Sequence, residues 1–378
     1  MRIGIVCYPT FGGSGVVATE LGLELSKKGH EIHFITYNQP VRLELLSSNV
    51  HFHEVHVPEY PLFHYQPYEL ALSSKLVDMV KLHDIEVLHV HYAIPHAYAA
   101  YMAQKMLQEE GIYVPFVTTL HGTDITLVGS HPFYKTAVTF SINKSDAVTS
   151  VSQSLKDDTL RLFNITNEID VVPNFIDMDK HKKDFTDCQR AMMANENEVI
   201  ITHISNFREV KQIPDVINIF NTVQKVLPAK LMMVGEGPER EAAEELCATL
   251  GIEDKVVFFG NSNEIDKILC FSDLFLLPST TESFGLAALE AMASGVPVIS
   301  SNTGGIPEVN KHGVSGFLSD VNDIEDMSKN AIHILENSER LKLFKASAKL
   351  EASKFDIHSI VPVYEDIYKR TTSKCLNL

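Results

Sequence analysis

Two series of short, β-branched apolar runs, each separated from the next by a stretch of helical spacing, constrain this chain more than any other feature. Residues 2–7 form such a run, followed by Pro9, the glycine cluster Gly12, Gly13 and Gly15, and helical spacing over residues 16–28. Gly29-His30 closes that helix, and residues 31–37 read as the next strand. A strand–helix–strand unit of this kind makes a parallel sheet, and residues 87–91, 116–120, 147–151 and 169–172 continue it. Periodicity then lapses in the polar stretch 179–197, which predicts the interdomain hinge there. A second series follows at residues 199–204, 230–234, 256–259, 274–277 and 296–300. The expectation is an α/β chain of two Rossmann-like, doubly wound parallel-sheet domains, residues 1–172 and 173–356. The last periodic stretch, beginning at Ile357, predicts a helix over 357–378 that packs back on the first domain. The length of 378 residues suits two domains.

Charge and cysteine usage narrow the function. With 49 acidic and 32 basic residues the net charge is −17, which repels nucleic-acid phosphates and an anionic membrane surface, so neither is an expected partner. Cys7, Cys188, Cys247, Cys270 and Cys375 are odd in number and scattered, which suggests neither a disulfide framework nor a zinc site and fits a reducing cytoplasm. The start, MRIGIVCYP, lacks the apolar run and small-residue cleavage site of a signal peptide, and no later apolar run reaches the roughly 18 residues of a membrane span, so neither export nor membrane spanning is expected.

In paired Rossmann-like domains, ligands meet the carboxyl ends of the strands in the cleft, so the strand-to-helix loops should hold the chemistry. Gly13, Ser14 and Gly15 lie between the first strand and the first helix, where backbone amides and the helix dipole can hold an anion; a tight packing turn is the alternative. The cluster is not G-x-G-x-x-G, which weakens a dinucleotide-dependent oxidoreductase. After the run 274–277, Gly285 and Leu286 can point amides at a diphosphate, Glu282 can accept sugar hydroxyls, and Glu290 can accept from a ribose. Gly235 ends another strand, either as a plain turn or lining a nucleotide cleft. Arg208 and Lys211 follow the first strand of the second series and could neutralise a leaving diphosphate, or form a solvated charge cluster. His121, Thr123 and Asp124 open from the run 116–120, where His and Asp can bind polyols or shuttle a proton. His89 and His91 share one face of a buried strand near Tyr92 and His96 with no carboxylate beside them, which argues against a metal there.

With these residues assembled, the sequence resembles the family 4 retaining glycosyltransferases. The most specific parts are the E-x7-E element from Glu282 to Glu290, then ASGVPV from Ala293 and TGGIPE from Thr303. Cys7-Tyr8-Pro9 leading to Gly15, His89 to Ala93, and Thr118 to Asp124 look most like the branch that joins N-acetylglucosamine to L-malate in the bacillithiol pathway. The resemblance implies the GT-B fold and UDP-N-acetylglucosamine (UDP-GlcNAc) bound mainly by the second domain, with Glu290 on ribose, Glu282 on the sugar, and backbone contacts from Phe284, Gly285 and Leu286. It also implies His121 on the donor sugar, and a basic pair in which Lys211 matches but Asn206 stands at the Arg position, with Arg208 nearby. L-malate would sit on the first domain, with Gly13, Ser14, Gly15, Tyr92 and Thr123 as candidates. No carboxylate nucleophile stands out, so the expectation is front-face transfer with retention, without metal or other cofactor. The alternatives are a family 4 transfer to a lipid or saccharide, and a non-catalytic nucleotide-sugar-binding protein. A homo-oligomer stays open.

Overall fold

The computed structural model describes residues 1–10, 12–43, 47–59, 61, 64–181, 190–262 and 264–375. Contacts group Met1–Asn174 with Ile357–Leu378 as one unit, and Phe175–Asp356 as a second.

The N-terminal unit is built on seven parallel strands: β1 (Arg2–Val6), β2 (Glu31–Thr36), β3 (Val50–Glu54), β4 (Val87–His91), β5 (Phe116–Leu120), β6 (Ala147–Ser150) and β7 (Ile169–Val171). Their order is β3-β2-β1-β4-β5-β6-β7, so β1 and β4 flank the topological switch point. The inner strands are buried along their length because helices cover both faces of a parallel sheet, which is why they read as continuous apolar runs. The C-terminal unit repeats the plan with β8 (Val199–Ile204), β9 (Ala229–Val234), β10 (Val256–Gly260), β11 (Leu274–Leu277), β12 (Val298–Ser301) and β13 (Gly316–Ser319), ordered β10-β9-β8-β11-β12-β13. Its core includes Ile201, Ile217, Phe220, Leu231, Leu274 and Ile299, all fully buried. No described helix is long and apolar enough to cross a membrane.

Three local expectations change. The first helix, α1 (Gly13–Lys27), starts three residues early, so Gly13, Ser14 and Gly15 form its first turn rather than a loop. Gly12 is extended, and its carbonyl already accepts from the Gly15 N–H at 3.0 Å. The predicted hinge at 179–197 falls partly on 182–189, outside the described residues. Beyond them, Arg190 donates to Asp273 at 2.7 Å and to the Phe271 carbonyl at 2.5 Å, which fixes it within the C-terminal unit. Strands β3 and β13, both at sheet edges, are additions to the sequence reading.

The terminal helix, Ile357–Cys375, belongs to the N-terminal unit and packs against α1. Tyr368, fully buried, is paired with His89 Nδ1 at 2.7 Å, so a strand histidine anchors it.

Candidate active site

In the C-terminal unit, the ends of β8, β11 and β12 converge on one carboxylate. Lys211 closes a short 3-10 turn, Glu209–Lys211, after β8, and its Nζ donates to Glu282 Oε1 at 2.5 Å. Ser279 Oγ donates to the same oxygen at 2.9 Å. The Thr280 N–H donates to the Val210 carbonyl at 2.9 Å, which holds the β11 loop beside the Lys211 turn. From β12, Gly305 N–H donates to the Glu282 carbonyl at 2.9 Å. A Cβ on Gly304 would lie 1.9 Å from that carbonyl, and Gly304 has φ +54°, so only glycine lets this loop brace Glu282. The side chains of Lys211 and Glu282 stay 20% and 13% exposed, enough for a ligand to reach the pair.

Gly285, left-handed at φ 92°, turns the chain from this loop into the helix Leu286–Ala293. The first N–H groups of that helix lack intrahelical partners by construction and carry its positive dipole end. Glu290 is four residues past Leu286, hence one turn on along the same face, and is partly exposed. The Phe284 ring, 2% exposed, packs edge-on against Phe355 at 5.6 Å, so only its backbone is left for a ligand. Gly235 serves the turn: its N–H donates to the Gly260 carbonyl at 2.8 Å, and a Cβ there would lie 1.8 Å from the Ser205 carbonyl. Asn206 and Arg208 are exposed on the loop that precedes Lys211. Sequence reasoning missed His203, fully buried on β8 and bonded to the Leu276 carbonyl at 2.8 Å and to Ser205 Oγ at 2.7 Å. Burial pushes its pKa down to about 4, so it is a neutral link between β8 and β11.

In the N-terminal unit, the ends of β1, β4 and β5 come together at the switch point. Gly15 is forced: a Cβ would lie 2.5 Å from the Tyr8 carbonyl and 2.6 Å from that of Thr10. Ser14 Oγ and Tyr92 Oη are 2.7 Å apart. Tyr92 has φ 86°, a conformation costly for a bulky side chain, and its N–H is tied to the Thr119 carbonyl at 2.9 Å. That held strain points the tyrosine at the start of α1.

Asp124 is buried and knits these loops. It accepts from the N–H groups of Ala93 at 2.8 Å, Gly122 at 3.0 Å and His121 at 3.2 Å. Burial outweighs those bonds and raises its pKa to about 6. His121 pairs through Nε2 with His91 Nδ1 at 2.8 Å, and burial lowers its pKa to about 3. At neutral pH it is therefore an uncharged ring. His89, stacked on His91 at 4.4 Å, is committed to Tyr368 and Thr119.

Comparison with known proteins decides the family. The Glycosyltransferase Family 4 model matches residues 11–180, and the Glycosyl transferases group 1 model matches residues 185–351. The chain is 45% identical, over 97% of its length and 96% of the relative's, to an N-acetyl-alpha-D-glucosaminyl L-malate synthase of Bacillus anthracis. The chain belongs to the family 4 glycosyltransferases. Among more distant family members, a 2-deoxystreptamine N-acetyl-D-glucosaminyltransferase of Niallia circulans is 25% identical over 76% of this chain and 77% of its own. The crystal structure of Anabaena HepE in complex with UDP-glucose superposes with a TM-score of 0.79 at 19% identity, covering 100% of both chains. This glycosyltransferase therefore has the GT-B architecture of two Rossmann-like units.

Proposed function

We propose that this glycosyltransferase moves N-acetylglucosamine from UDP-GlcNAc to the hydroxyl of L-malate with retention of the α configuration. The near-full-length likeness to the Bacillus anthracis synthase carries the reading.

In this reading the C-terminal unit holds the donor. The first amides of helix Leu286–Ala293 face the diphosphate, Glu290 accepts from the ribose hydroxyls, and Glu282 accepts from the sugar. Lys211, oriented by its bond to Glu282, meets the charge that grows on the diphosphate as it departs. The N-terminal unit holds L-malate, a dianion that the chain's net charge of −17 would repel without a local positive field. The exposed start of α1 supplies that field through its dipole and the Gly13 and Ser14 N–H groups, with Ser14, Tyr92 and Thr123 as polar partners. At the reacting carbon, the bond to the β-phosphate oxygen breaks as the bond to the malate oxygen forms on the same face. The malate hydroxyl proton passes to the departing phosphate oxygen, which balances the step without a cofactor, a metal or a protein nucleophile.

Release of UDP from UDP-GlcNAc tests the acceptor. It should depend on L-malate and fall to background with D-malate, glycerol phosphate or no acceptor; release indifferent to L-malate would sink the proposal. Glu290→Ala should raise the donor KM by about 10-fold, the loss of a charged hydrogen bond worth about 1.5 kcal/mol, with kcat held within a few-fold. A fall in kcat at unchanged KM would overturn the ribose role.

A further inference from the structure

Away from the candidate active site, four histidines and a glutamate gather at the β3 edge of the N-terminal sheet. His33 on β2 is paired with His51 on β3, and His53 is two residues further along, so strand alternation sets all three on one face. His83 ends α2 (Tyr68–His83), the helix over that face. The His33 ring lies 4.8 Å from that of His51, 5.2 Å from His53 and 4.6 Å from His83. His33 is fully buried, and its Nδ1 is 2.9 Å from His53 Nε2. Its Nε2 makes no hydrogen bond, although Glu31 Oε1 is 3.4 Å away. One ring nitrogen from each of His33, His53 and His83 lies within 4.8 Å of the other two.

We propose that His33, His53 and His83 bind one divalent transition-metal ion of the Zn2+ class, with Glu31 orienting His33 from outside the coordination shell. Neutral imidazoles are ligands for Zn2+, Co2+, Ni2+ and Cu2+, whereas Mg2+ and Ca2+ want oxygen. A metal on His33 Nδ1 takes the place of the proton shared with His53 and leaves the Nε2–H aimed at Glu31. That is the carboxylate–histidine–metal arrangement that fixes a tautomer and raises ligand basicity. Arg2 and Lys75 oppose a cation here, but Arg2 is drawn to Glu86 and Asp84. His53 and His83 are partly exposed, which opens an entry path. The bound ion would staple the edge strand β3 to β2 and to the end of α2, and it uses none of the residues assigned to glycosyl transfer.

The test is titration of the untagged full-length chain with Co2+, followed by displacement with Zn2+. Expected are one equivalent bound with visible d–d absorption, at least about 10-fold weaker binding in His53→Ala and in His83→Ala, and loss in the double variant. Zn2+ should also raise the melting temperature of the wild type and not that of the double variant. His56→Ala, an exposed histidine outside the cluster, should bind as the wild type does, and UDP release should persist in all these variants. Undiminished binding in the double variant, or no binding by the wild type, would overturn the site.

Discussion

Replacing Lys211 by Ala is expected to lower kcat by about 10^2–10^3-fold, roughly 3–4 kcal/mol, while the donor KM changes little. The diphosphate gains charge as the glycosidic bond breaks, so a cation aimed at it stabilises the transition state more than bound UDP-GlcNAc. The Glu282 carboxylate holds the ammonium in place through Oε1 and is itself fixed by Ser279, while Gly305 braces the Glu282 backbone carbonyl. Removing the lysine also leaves that carboxylate without its cation beside the position proposed for the diphosphate, which adds repulsion to the lost attraction. The variant Lys211→Ala/Glu282→Gln should therefore lose less than the two single losses combined, since the residues share one interaction. Steady-state kinetics over both substrates check this, and a Lys211→Ala enzyme with normal kcat and a raised donor KM would move the lysine from leaving-group stabilisation to ground-state binding.

The second large effect is acid unfolding of the N-terminal unit. His33, His89, His91 and His96 are fully buried there, and burial holds all four below the ordinary histidine range, two of them near 3 and His96 near 4. A group whose folded pKa is depressed contributes stability above its unfolded value, about 6.5, and loses it as pH falls towards the folded value. Asp124 has the opposite sign: raised to about 6, it costs stability above that pH and recovers it on protonation, offsetting one of the four protons. Net uptake of about three protons on unfolding corresponds to about 4 kcal/mol lost per pH unit near pH 5, against a typical stability of about 5–15 kcal/mol. His53 and His121 add in the same direction. Calorimetry from pH 7 to pH 5, with hydrogen exchange locating the first transition, should find β1–β7 opening first and steeply. The C-terminal unit, with His181 and His203 lowered, should shift less. A melting temperature for the N-terminal unit that stays flat across this range would contradict the burial argument.

Much of the architecture is written in local sequence, because a strand covered on both faces must be apolar throughout. Residues 87–91, 116–120, 199–204 and 274–277 read as strands and are β4, β5, β8 and β11 at the same bounds. Strand β3, VHFHE, escaped because it is a half-exposed edge rich in histidine, and β13, GFLS, because it is four residues long and opens with glycine. Glu282, Gly285, Leu286 and Glu290 could be singled out because they lie in one contiguous element of distinctive spacing. The bond between Lys211 and Glu282 spans 71 residues and depends on Gly304 and Gly305 closing behind it, which no local pattern reveals. Asp124 and His203 were equally hidden in role, since each bonds a backbone group far along the chain, Ala93 and Leu276. The histidine cluster draws on β2, β3 and α2, and only the parallel register brings it to one face.

The central claim, transfer to the malate hydroxyl with retention, is tested most directly by the product itself. UDP-GlcNAc and L-malate should yield, by mass spectrometry and proton NMR, one equimolar N-acetylglucosaminyl malate with an α-anomeric proton and a single glycosidic linkage at the malate hydroxyl. A β-anomer, a sugar ester on a malate carboxylate, or free N-acetylglucosamine as the main product would contradict it.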